Sequence, residues 1–360
     1  SDIVIVTVPT PIDENLKPNL SYVKNAGINI FDNIKKGSKT IVVLESTVYP
    51  GVTKQIWLPL LEERNLIVDE DVVISYCPER FSPGDPKHGV RQVARVIGAD
   101  HEIIGKDLVE FYSCLTEGDV SYVGKIEVAE ASKVVENVQR DINIALVNEL
   151  ARIFPELGVD VEDVLTAAES KWNFHRYTPG VGVGGHCIPV DPYYLKQRAE
   201  DVGVPAELIS AARSVNRSMP KYVSNTISKI LSENNCNIEE ARILFLGWSY
   251  KPKIGDIRQS PAMELAKFLK EKHADIFVID PYINYDNLPD YVNKIEDLMD
   301  VEKIDIIVMN TAHPEFESID WNKLMKKMRN KIIYDGRRVL PVTELEQLGW
   351  IVHAIGKPSN

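Results

Sequence analysis

One stretch of this sequence, GVGVGGHCIPVDPYY at residues 180–194, places four glycines shortly before a thiol at Cys187. Glycines of this kind serve either a loop that binds phosphate or a backbone platform that lets a ligand approach a nucleophile closely. A dinucleotide-binding loop follows a strand, whereas FHRYTP before these glycines is typical of a loop, and the stretch lacks the Gly-Lys-Ser or Gly-Lys-Thr of a Walker loop. We therefore favour the thiol platform, with a purely structural glycine turn as the alternative.

A nucleophilic Cys187 needs a nearby cation or base, because a thiol with an ordinary pKa of about 8.5 is mostly protonated at neutral pH. A predicted helix over residues 127–153 offers an amine, an amide and a guanidinium on one face, at Lys133, Asn137 and Arg140. If this face is buried, these groups need anionic or polar partners. If it is solvated, two glutamates of the same helix are the expected ion-pair partners, Glu130 and Glu136.

Polar side chains follow several predicted strands in the first third of the chain. Thr10, Thr47 and the pair Glu79–Arg80 each come directly after an apolar run. Open parallel sheets bind their ligands at the carboxyl ends of strands. Three such positions in one half of the molecule predict a cleft there.

Cationic side chains hold the equivalent positions in the last third of the chain. Lys251 and Arg258 lie between a predicted strand and a helix that begins near Ser260–Pro261, a location that suits a diphosphate. Arg337 and Arg338 follow another strand. The alternative for these arginines is ordinary solvation at the surface.

The elements that must position these residues form two α/β regions with helices between them. Short apolar runs alternate with helical patterns over residues 1–125 and again from residue 241, which predicts two doubly wound, mostly parallel sheets. We predict domains at 1–125, 126–235 and 236–360. The main predicted helices cover residues 20–35, 53–65, 127–153, 205–234 (kinked or broken at Pro220), 261–272, 314–329 and 342–348.

Composition excludes several classes of function. With 53 acidic and 41 basic residues the net charge is −12, so a basic footprint for nucleic acid is missing. The four cysteines form no CxxC pair, which favours reduced thiols in the cytoplasm over a disulfide framework or a metal site. No apolar run reaches the ~18–20 residues that a membrane span needs.

Seven segments, in matching order, resemble the UDP-glucose/GDP-mannose dehydrogenase family. They are VPTP, ESTVYPG, CPERFSPG, the Lys133–Asn137 helix, GGHCIPVDPYYL, YKPKIGDIRQSPA and DGRRVL. Members of this family use NAD to oxidise the C6 alcohol of a nucleotide sugar to a uronic acid in two steps. The resemblance implies two Rossmann-like sheets joined by a central helical domain, and a homodimer or higher homo-oligomer packed through the 205–234 helix.

The same resemblance implies a role for each site residue. Cys187 is the expected nucleophile, which forms a thiohemiacetal and then a thioester with the substrate. Lys133 and Asn137 are expected to stabilise the oxyanion, and Asp191 and Glu79 to move protons and position water. The expected NAD contacts are Thr10, Thr47 and Arg258. The expected UDP-sugar contacts are Gly184, Lys251 and Arg337, with His175, Arg176 and Tyr177 in a loop that closes over the sugar.

The CPERFSPG segment resembles the branch of the family that acts on UDP-N-acetylhexosamines, and we take UDP-N-acetyl-D-mannosamine as the best candidate substrate. Arg80 and Phe81 stand where UDP-glucose enzymes usually carry a different run, and Arg80 or Arg140 could hydrogen-bond an acetamido carbonyl that glucose lacks. UDP-glucose 6-dehydrogenase is the nearest alternative. A non-catalytic nucleotide-sugar-binding protein and a simple two-electron dehydrogenase are the alternatives from other classes.

In the family that these segments resemble, a GxGxxG turn precedes the strand that opens this sequence, so the N-terminal sheet is expected to lack two βα units. Without that turn the NAD pyrophosphate loses its helix N-terminus. We predict that the 360-residue chain binds NAD weakly or not at all while its UDP-binding half remains competent. In a thermal-shift titration UDP should raise the melting temperature and NAD should not; NAD-dependent turnover by this chain would contradict the prediction.

Overall fold

The computed structural model describes residues 1–358, which divide into two compact units. The N-terminal unit comprises residues 1–140 and 190–209, and the C-terminal unit comprises residues 141–189 and the chain from 210 onward. Each unit contains a sheet of mainly or wholly parallel strands flanked by helices. The predicted α/β class with two Rossmann-like sheets is therefore confirmed. The division into three domains stays a prediction.

Within the described residues, the strands in chain order are β1 (Ile3–Val6), β2 (Thr40–Leu44), β3 (Val72–Tyr76), β4 (Arg95–Ala99), β5 (Val120–Tyr122), β6 (Arg242–Leu246), β7 (Asp275–Ile279), β8 (Val292–Lys294), β9 (Ile304–Met309), β10 (Met328–Asp335) and β11 (Ile351–Ala354). The α-helices are α1 (Ser21–Phe31), α2 (Val52–Glu63), α3 (Glu102–Ser113), α4 (Ile126–Glu156), α5 (Val161–Glu169), α6 (Asp191–Asp201), α7 (Glu207–Glu233), α8 (Pro261–Lys270), α9 (Trp321–Met325) and α10 (Val342–Gln347). Short 3-10 turns lie between some of them.

The sheet of the N-terminal unit has the strand order β1-β2-β3-β4-β5. Strands β1 to β3 are parallel, β4 is antiparallel to β3, and β5 is parallel to β4. The apolar runs TIVVL and VVISY form central strands because the sheet is covered by helices, with Trp57 of α2 fully buried in its core. Since β1, β2 and β3 end at one edge, the loops that carry Thr10, Thr47 and Glu79 begin at that edge.

The sheet of the C-terminal unit is parallel throughout, with the order β11-β10-β9-β6-β7-β8. The strand order reverses between β6 and β9, and ligands of open parallel sheets bind at such a point. The loop after β6 carries Lys251 and Arg258, and the loop after β10 carries Arg337. These cationic residues therefore lie at the carboxyl edge of the sheet.

Two predicted helices differ from the observed ones. Helix α7 continues through Pro220, where the sequence predicts a kink or a break. Proline costs one backbone hydrogen bond, but Pro220 is buried, and packing of an apolar face supplies most of a helix's stability. The helix predicted over residues 314–329 is wrong for most of its length, because Asp320 caps the five-residue α9 and Met328 already pairs with Ile304 in the sheet.

Neither a membrane-crossing helix nor a metal-binding cluster is found among residues 1–358. The two longest of these helices, α4 and α7, carry charged residues along their length, and none of the helices is both long and apolar enough to cross a membrane. No group of three or more His, Cys, Asp or Glu side chains converges in a way that could hold a metal ion.

Candidate active site

The first residue of α6, Asp191, is a buried carboxyl group in the N-terminal unit. Only 3% of Asp191 is exposed, and Asn137 Nδ2 donates a hydrogen bond of 2.5 Å to its Oδ2. Burial raises the pKa of Asp191 to about 7, while the Asn137 hydrogen bond and the Lys133 ammonium oppose the rise and Glu79 adds to it. A carboxyl group that titrates near neutrality can both accept and release a proton during a reaction.

The helix face that carries Lys133 and Asn137 is buried at this end of α4. Lys133 is 7% exposed, and Val134 and Val138 beside it belong to the buried apolar residues. Arg140, which the sequence places on the same face, is exposed. On this face Lys133 is therefore buried, Asn137 is half-buried and Arg140 is solvated.

Glu79 follows β3 and is the second carboxyl group, after Asp191, that interacts with the Lys133 ammonium. Its carboxylate accepts a hydrogen bond from the Phe81 backbone N–H. Burial raises the pKa of Glu79, and the Lys133 ammonium opposes the rise. Lys133 thus interacts electrostatically with both Glu79 and Asp191, so one ammonium serves two carboxyl groups that favour their protonated forms.

The side chain of Arg80 is held by α4. Its Nη2 lies 2.5 Å from Glu136 Oε1, and its Nη1 donates to the Ala94 carbonyl at 3.3 Å. Phe81 is half-buried next to it. Any ligand contact of Arg80 must therefore share a guanidinium that Glu136 already binds.

The two threonines predicted to contact the cofactor are half-buried at the carboxyl edge of the N-terminal sheet. The Thr10 side chain hydrogen-bonds to Tyr194, whose hydroxyl also donates to the Pro11 carbonyl at 3.2 Å. Next to Thr47, Ser46 Oγ donates to the Val8 carbonyl at 2.7 Å. These bonds join the ends of β1 and β2 to each other and to α6.

The glycine-rich stretch packs against its own chain in the C-terminal unit. A Cβ on Gly184 would lie 2.6 Å from Tyr250 Cβ, 2.7 Å from Pro261 Cδ and 2.9 Å from the Gln259 carbonyl. Gly185 has a φ of +91° and lies against the Tyr250 ring. The space that these glycines leave is thus filled by the 250–261 loop, which supports a backbone platform and leaves no room there for a phosphate.

Cys187 is partly exposed at the end of this platform. The Gly185 N–H donates to the Arg258 carbonyl at 3.2 Å, and Arg258 Nη2 lies 3.2 Å from His186 Nδ1. Arg258 also forms a bidentate ion pair with Asp256, with Nη2–Oδ2 at 2.6 Å. Arg258 and Tyr250 are close enough to Cys187 to interact with it electrostatically.

Arg337 is the most available cation of the C-terminal site. Its guanidinium makes no side-chain hydrogen bond or ion pair within residues 1–358, and a Cβ on Gly180 would lie 2.9 Å from its Nη1. Burial lowers the pKa of Arg337 and the Asp335 carboxylate opposes this. The neighbouring Arg338 differs, since its Nη2 binds Asp160 at 2.8 Å and 2.9 Å. Arg337 is thus a partly desolvated charge that an anionic ligand could neutralise.

The remaining predicted substrate residues are held to different degrees. Arg176 pairs with Glu162 and with Glu169, the latter at 2.8 Å, so it is tied to α5. Tyr177 packs on the hydrophobic core, whereas His175 is exposed. Lys251 is half-buried in a loop whose backbone accepts a 3.1 Å hydrogen bond from Ser249 Oγ.

Sequence reasoning gave no structural role to Glu130, which it treated only as a possible ion-pair partner. This fully buried carboxylate accepts hydrogen bonds from the Gly51 N–H at 2.5 Å and from the Thr53 N–H and hydroxyl at 2.9 Å and 2.6 Å. It therefore caps α2 from α4, one turn before Lys133. The absence of a local capping side chain at Gly51 is a sequence signal that an acceptor must come from elsewhere.

A second missed group is the buried His313 in the C-terminal unit. His313 Nε2 lies 3.0 Å from Asp280 Oδ2, and its Nδ1 accepts from the Lys253 N–H at 3.2 Å. The same Asp280 oxygen accepts from the N–H groups of Trp248 and Ser249 at 2.7 Å and 2.9 Å. These bonds fix both ends of the segment that carries Lys251. The position of Asp280, directly after the second strand of a doubly wound sheet, was an available signal.

The raised pKa of Asp191 predicts a pH-dependent stability. The folded chain holds this proton more tightly than the unfolded chain, so the stabilisation is present at low pH and is lost as pH rises towards 7. Asp191→Asn cannot titrate, and its amide oxygen can still accept from Asn137. We expect the unfolding free energy of the variant, relative to the parent, to increase by about 2–3 kcal/mol between about pH 5 and pH 8.

Urea unfolding at the two pH values measures this difference. Asp201→Asn, at the exposed end of the same helix, is the matched control, and its difference from the parent should stay constant. Parallel pH curves for Asp191→Asn and the parent would contradict the prediction.

Three models of one family match the chain in sequence. The NAD binding domain of the UDP-glucose/GDP-mannose dehydrogenase family matches residues 1–116, its central domain matches residues 127–218, and its UDP binding domain matches residues 244–342. Together they account for most of the chain.

Individual relatives agree with this family. The UDP-N-acetyl-D-glucosamine 6-dehydrogenase of Pseudomonas aeruginosa is 37% identical over 342 residues, covering 94% of this chain and 80% of that protein. The solved UDP-D-ManNAc dehydrogenase of Pyrococcus horikoshii is 32% identical with a TM-score of 0.85, covering 99% of this chain and 81% of that one. The NDP-N-acetyl-D-galactosaminuronic acid dehydrogenase of Methanosarcina mazei is 28% identical with a TM-score of 0.86, covering 99% and 78%. The chain therefore belongs to the UDP-glucose/GDP-mannose dehydrogenase family of NAD-dependent oxidoreductases.

Proposed function

We propose that this protein oxidises the C6 alcohol of a UDP-N-acetylhexosamine to the uronate, with UDP-N-acetyl-D-mannosamine as its substrate, through a covalent intermediate on Cys187. The observation that carries the proposal is the group of Asp191, Asn137, Lys133 and Glu79, of which Asp191 and Lys133 are buried. This group can exchange protons near neutral pH and stabilise an oxyanion. Family membership supplies the reaction class.

NAD is the cofactor of this family, and the residues present fit part of it. The half-buried Thr10 and Thr47 lie at the carboxyl edge of a parallel sheet, where a nucleotide cofactor binds. The N-terminus of α2 on that edge does not fit the diphosphate, because Glu130 already takes its N–H groups. We propose that Thr10, Thr47 and Arg258 contact NAD, which when bound accepts the hydride removed from C6.

The chemistry of the chain's own residues then follows in order. The Cys187 sulfur attacks the C6 aldehyde and forms a carbon–sulfur bond, and the resulting thiohemiacetal oxygen takes hydrogen bonds from Lys133 and Asn137. Loss of a second hydride leaves a thioester. Asp191 then accepts a proton from water, the hydroxide adds to the thioester carbon, and the carbon–sulfur bond breaks to release the Cys187 thiolate and the carboxylic acid, which loses its proton to give the uronate.

Chain connectivity supports this assignment of roles. Cys187 precedes Asp191 by four residues, which limits the distance between their Cα atoms to about 14 Å. Glu79 has a raised pKa and lies near Lys133, so it is proposed to hold the hydrolytic water. The partly exposed thiol is accessible to a small electrophile.

The UDP moiety is proposed to bind the C-terminal unit. Arg337 offers a guanidinium without an anionic partner in the described residues, and Lys251 lies in a loop fixed by buried hydrogen bonds. Gly184 is proposed to act through the platform, since the Tyr250 and Pro261 side chains occupy the space beside it. His175, Arg176 and Tyr177 are proposed to lie in the loop that covers the sugar.

The choice among the hexosamines is a separate part of the proposal. The three relatives described above are named for the glucosamine, mannosamine and galactosamine forms, so the preference for the mannosamine form is a proposal from the sequence. Arg80 and Phe81, with Arg140 at the exposed end of the helix face, are proposed to read the acetamido group. A UDP-glucose dehydrogenase of Pyrobaculum islandicum is also similar, at 25% identity and a TM-score of 0.85, which keeps UDP-glucose as the second candidate.

We further propose that the three matched family domains correspond to domains at 1–125, 126–235 and 236–360. A homodimer or higher homo-oligomer packed through α7 is proposed on the same basis, and exposed apolar residues at the start of that helix, such as the 65%-exposed Leu208, are consistent with it. The cytoplasmic location expected from the cysteines stays a prediction.

A panel of UDP-sugars tests the substrate class without requiring NAD. We expect UDP-N-acetylmannosamine to raise the melting temperature most, other UDP-N-acetylhexosamines less, and UDP-glucose least. Only the acetamido sugars offer a carbonyl that the guanidinium of Arg80 or Arg140 can hydrogen-bond. Arg337→Gln should reduce the shift for every UDP compound, since it removes the positive charge that is proposed to bind the diphosphate. Arg329→Gln, an exposed residue at the start of β10, the strand whose other end leads to Arg337, should not. Equal shifts for UDP-glucose and the acetamido sugars would contradict the proposed specificity.

Reaction stoichiometry tests the covalent mechanism. In any form of the protein that turns over NAD, two NADH should appear for each sugar, because the alcohol and the thiohemiacetal are each oxidised once. Cys187→Ala should produce no uronate, whereas Cys114→Ala, at an exposed thiol far along the sequence, should leave turnover unchanged. One NADH per sugar, or full turnover by Cys187→Ala, would favour a simple alcohol dehydrogenase or a non-catalytic thiol.

A further inference from the structure

A buried chain of hydrogen bonds underlies the start of the glycine-rich stretch in the C-terminal unit. Asn148 of α4 is fully buried, and its Oδ1 accepts a 2.9 Å hydrogen bond from the Gly180 N–H. Its Nδ2 donates to Asn216 Oδ1 of α7 at 2.9 Å. The Asn148 amide thus satisfies one backbone donor and one side-chain acceptor.

The chain continues from α7 back to α4. Asn216 Nδ2 donates to Asp141 Oδ1 at 2.8 Å and to the Asp141 carbonyl at 3.0 Å. Arg213 Nη1 lies 2.5 Å from the same Asp141 oxygen. Asp141, Arg213, Asn216 and Asn148 are all at least nine-tenths buried, so water does not compete with these bonds.

The direction of every bond in this chain is fixed by its two ends. Gly180 contributes an N–H, which can only donate, and the Asp141 carboxylate beside Arg213 can only accept. Asn148 must therefore turn its oxygen towards Gly180, and Asn216 must turn its oxygen towards Asn148. A residue at position 148 fits only if it both accepts and donates, which an amide does.

Gly180 lies where a shift would move two functional groups. It is the first glycine of the stretch that ends at Cys187, and its Cα lies against the Arg337 guanidinium. Between Gly180 and Cys187, the Gly185 N–H donates a hydrogen bond to the Arg258 carbonyl. The platform is thus held at its start by Asn148 and near its end by Arg258.

We propose that Asn148 is a positioning residue for Cys187, acting through the Gly180 N–H, with Asn216 and Asp141 as its fixed support. The importance of this role for turnover rests on the proposed function of Cys187, but the positioning itself does not. Since a misplacement of about 1 Å at a reacting group can cost about a hundredfold in rate, loss of the Gly180 bond should lower kcat more than it changes KM for the sugar.

Alkylation of the thiols by iodoacetamide, followed peptide by peptide, measures the positioning without NAD or substrate. In Asn148→Asp the new carboxylate faces the Asn216 oxygen, and the repulsion between these oxygens should displace the side chain that holds the Gly180 N–H, so that this bond is lost. We expect the alkylation rate of Cys187 to rise by about fivefold, the factor that loss of one hydrogen bond of ordinary net strength allows. The exposed Cys114 and the buried Cys77 report general loosening and should keep their rates.

Two further variants separate positioning from stability. Asn330→Asp places a carboxylate next to Asp305, to which Asn330 Nδ2 donates at 2.9 Å, and should lower the melting temperature without changing the Cys187 rate. The double variant Asn148→Asp/Asp141→Asn reverses the side-chain bonds between positions 148 and 216 and between positions 216 and 141, while Gly180 still donates to position 148. It should return the Cys187 rate towards that of the parent.

An unchanged Cys187 rate in Asn148→Asp, or an equal rise in Asn330→Asp, would overturn the proposal, as would a common rise at all the thiols. If Asn148→Asp does not fold, Asn148→Ser removes the same bond with a smaller electrostatic cost and gives the same readout. Failure of the proposed function would give a different result. Cys187→Ala would still turn over substrate, while Asn148→Asp would still raise the labelling rate of Cys187.

Discussion

The site of the N-terminal unit depends on one buried ionisable group, Asp191, at the start of α6. A carboxylate with 3% exposure is stable only if hydrogen bonds and opposite charge offset its lost hydration, and Asn137 and Lys133 supply both from α4. That compensation is incomplete, which leaves the pKa of Asp191 near neutrality. Lys133 and Asn137 lie four residues apart on one face of α4, so both can approach this carboxyl group, and the bonds that Glu130 accepts from the Gly51 and Thr53 N–H groups tie the same end of α4 to the start of α2.

The thiol of the C-terminal unit depends on backbone geometry more than on charge. Gly184 and Gly185 allow the stretch before Cys187 to lie directly on Tyr250 and Pro261, so a side chain at Gly184 would displace the platform itself. Arg258 holds the far end of this stretch with both its carbonyl and its guanidinium. The glycines therefore work by close packing within the chain.

Much of the fold could be predicted from the sequence, because apolar runs such as TIVVL and helices with clear starts such as Ser260–Pro261 satisfy local rules. Lys133, Asn137 and Glu79 could also be found, since strand ends and helix faces have fixed geometry, whereas the role of Asp191 was implied only by the resemblance of its segment to the family. The burial of Lys133 and the exposure of Arg140 could not be predicted. One face of α4 passes from a buried to a solvent-exposed region along its length, and the spacing of apolar residues does not reveal that change. Pro220 and the 314–329 segment were missed because tertiary packing and strand pairing outweighed local preference. Glu130 and His313 were missed because their partners are distant in the sequence: Glu130 bonds Thr53, and His313 bonds Asp280 and Lys253.

The carboxylate of Asp280 has a consequence for how the two Rossmann-like sheets divide their work. In a dinucleotide-binding sheet the amides of the first βα turn face the pyrophosphate of the cofactor. In the C-terminal sheet the corresponding amides, those of Trp248 and Ser249, are already saturated by a carboxylate from the next strand. The Asp280 carboxylate thus occupies the anion-binding position of this turn, and the diphosphate of a dinucleotide would have to displace it against charge repulsion. The Trp248 and Ser249 amides are thus already bonded at the place where a cofactor pyrophosphate would need them.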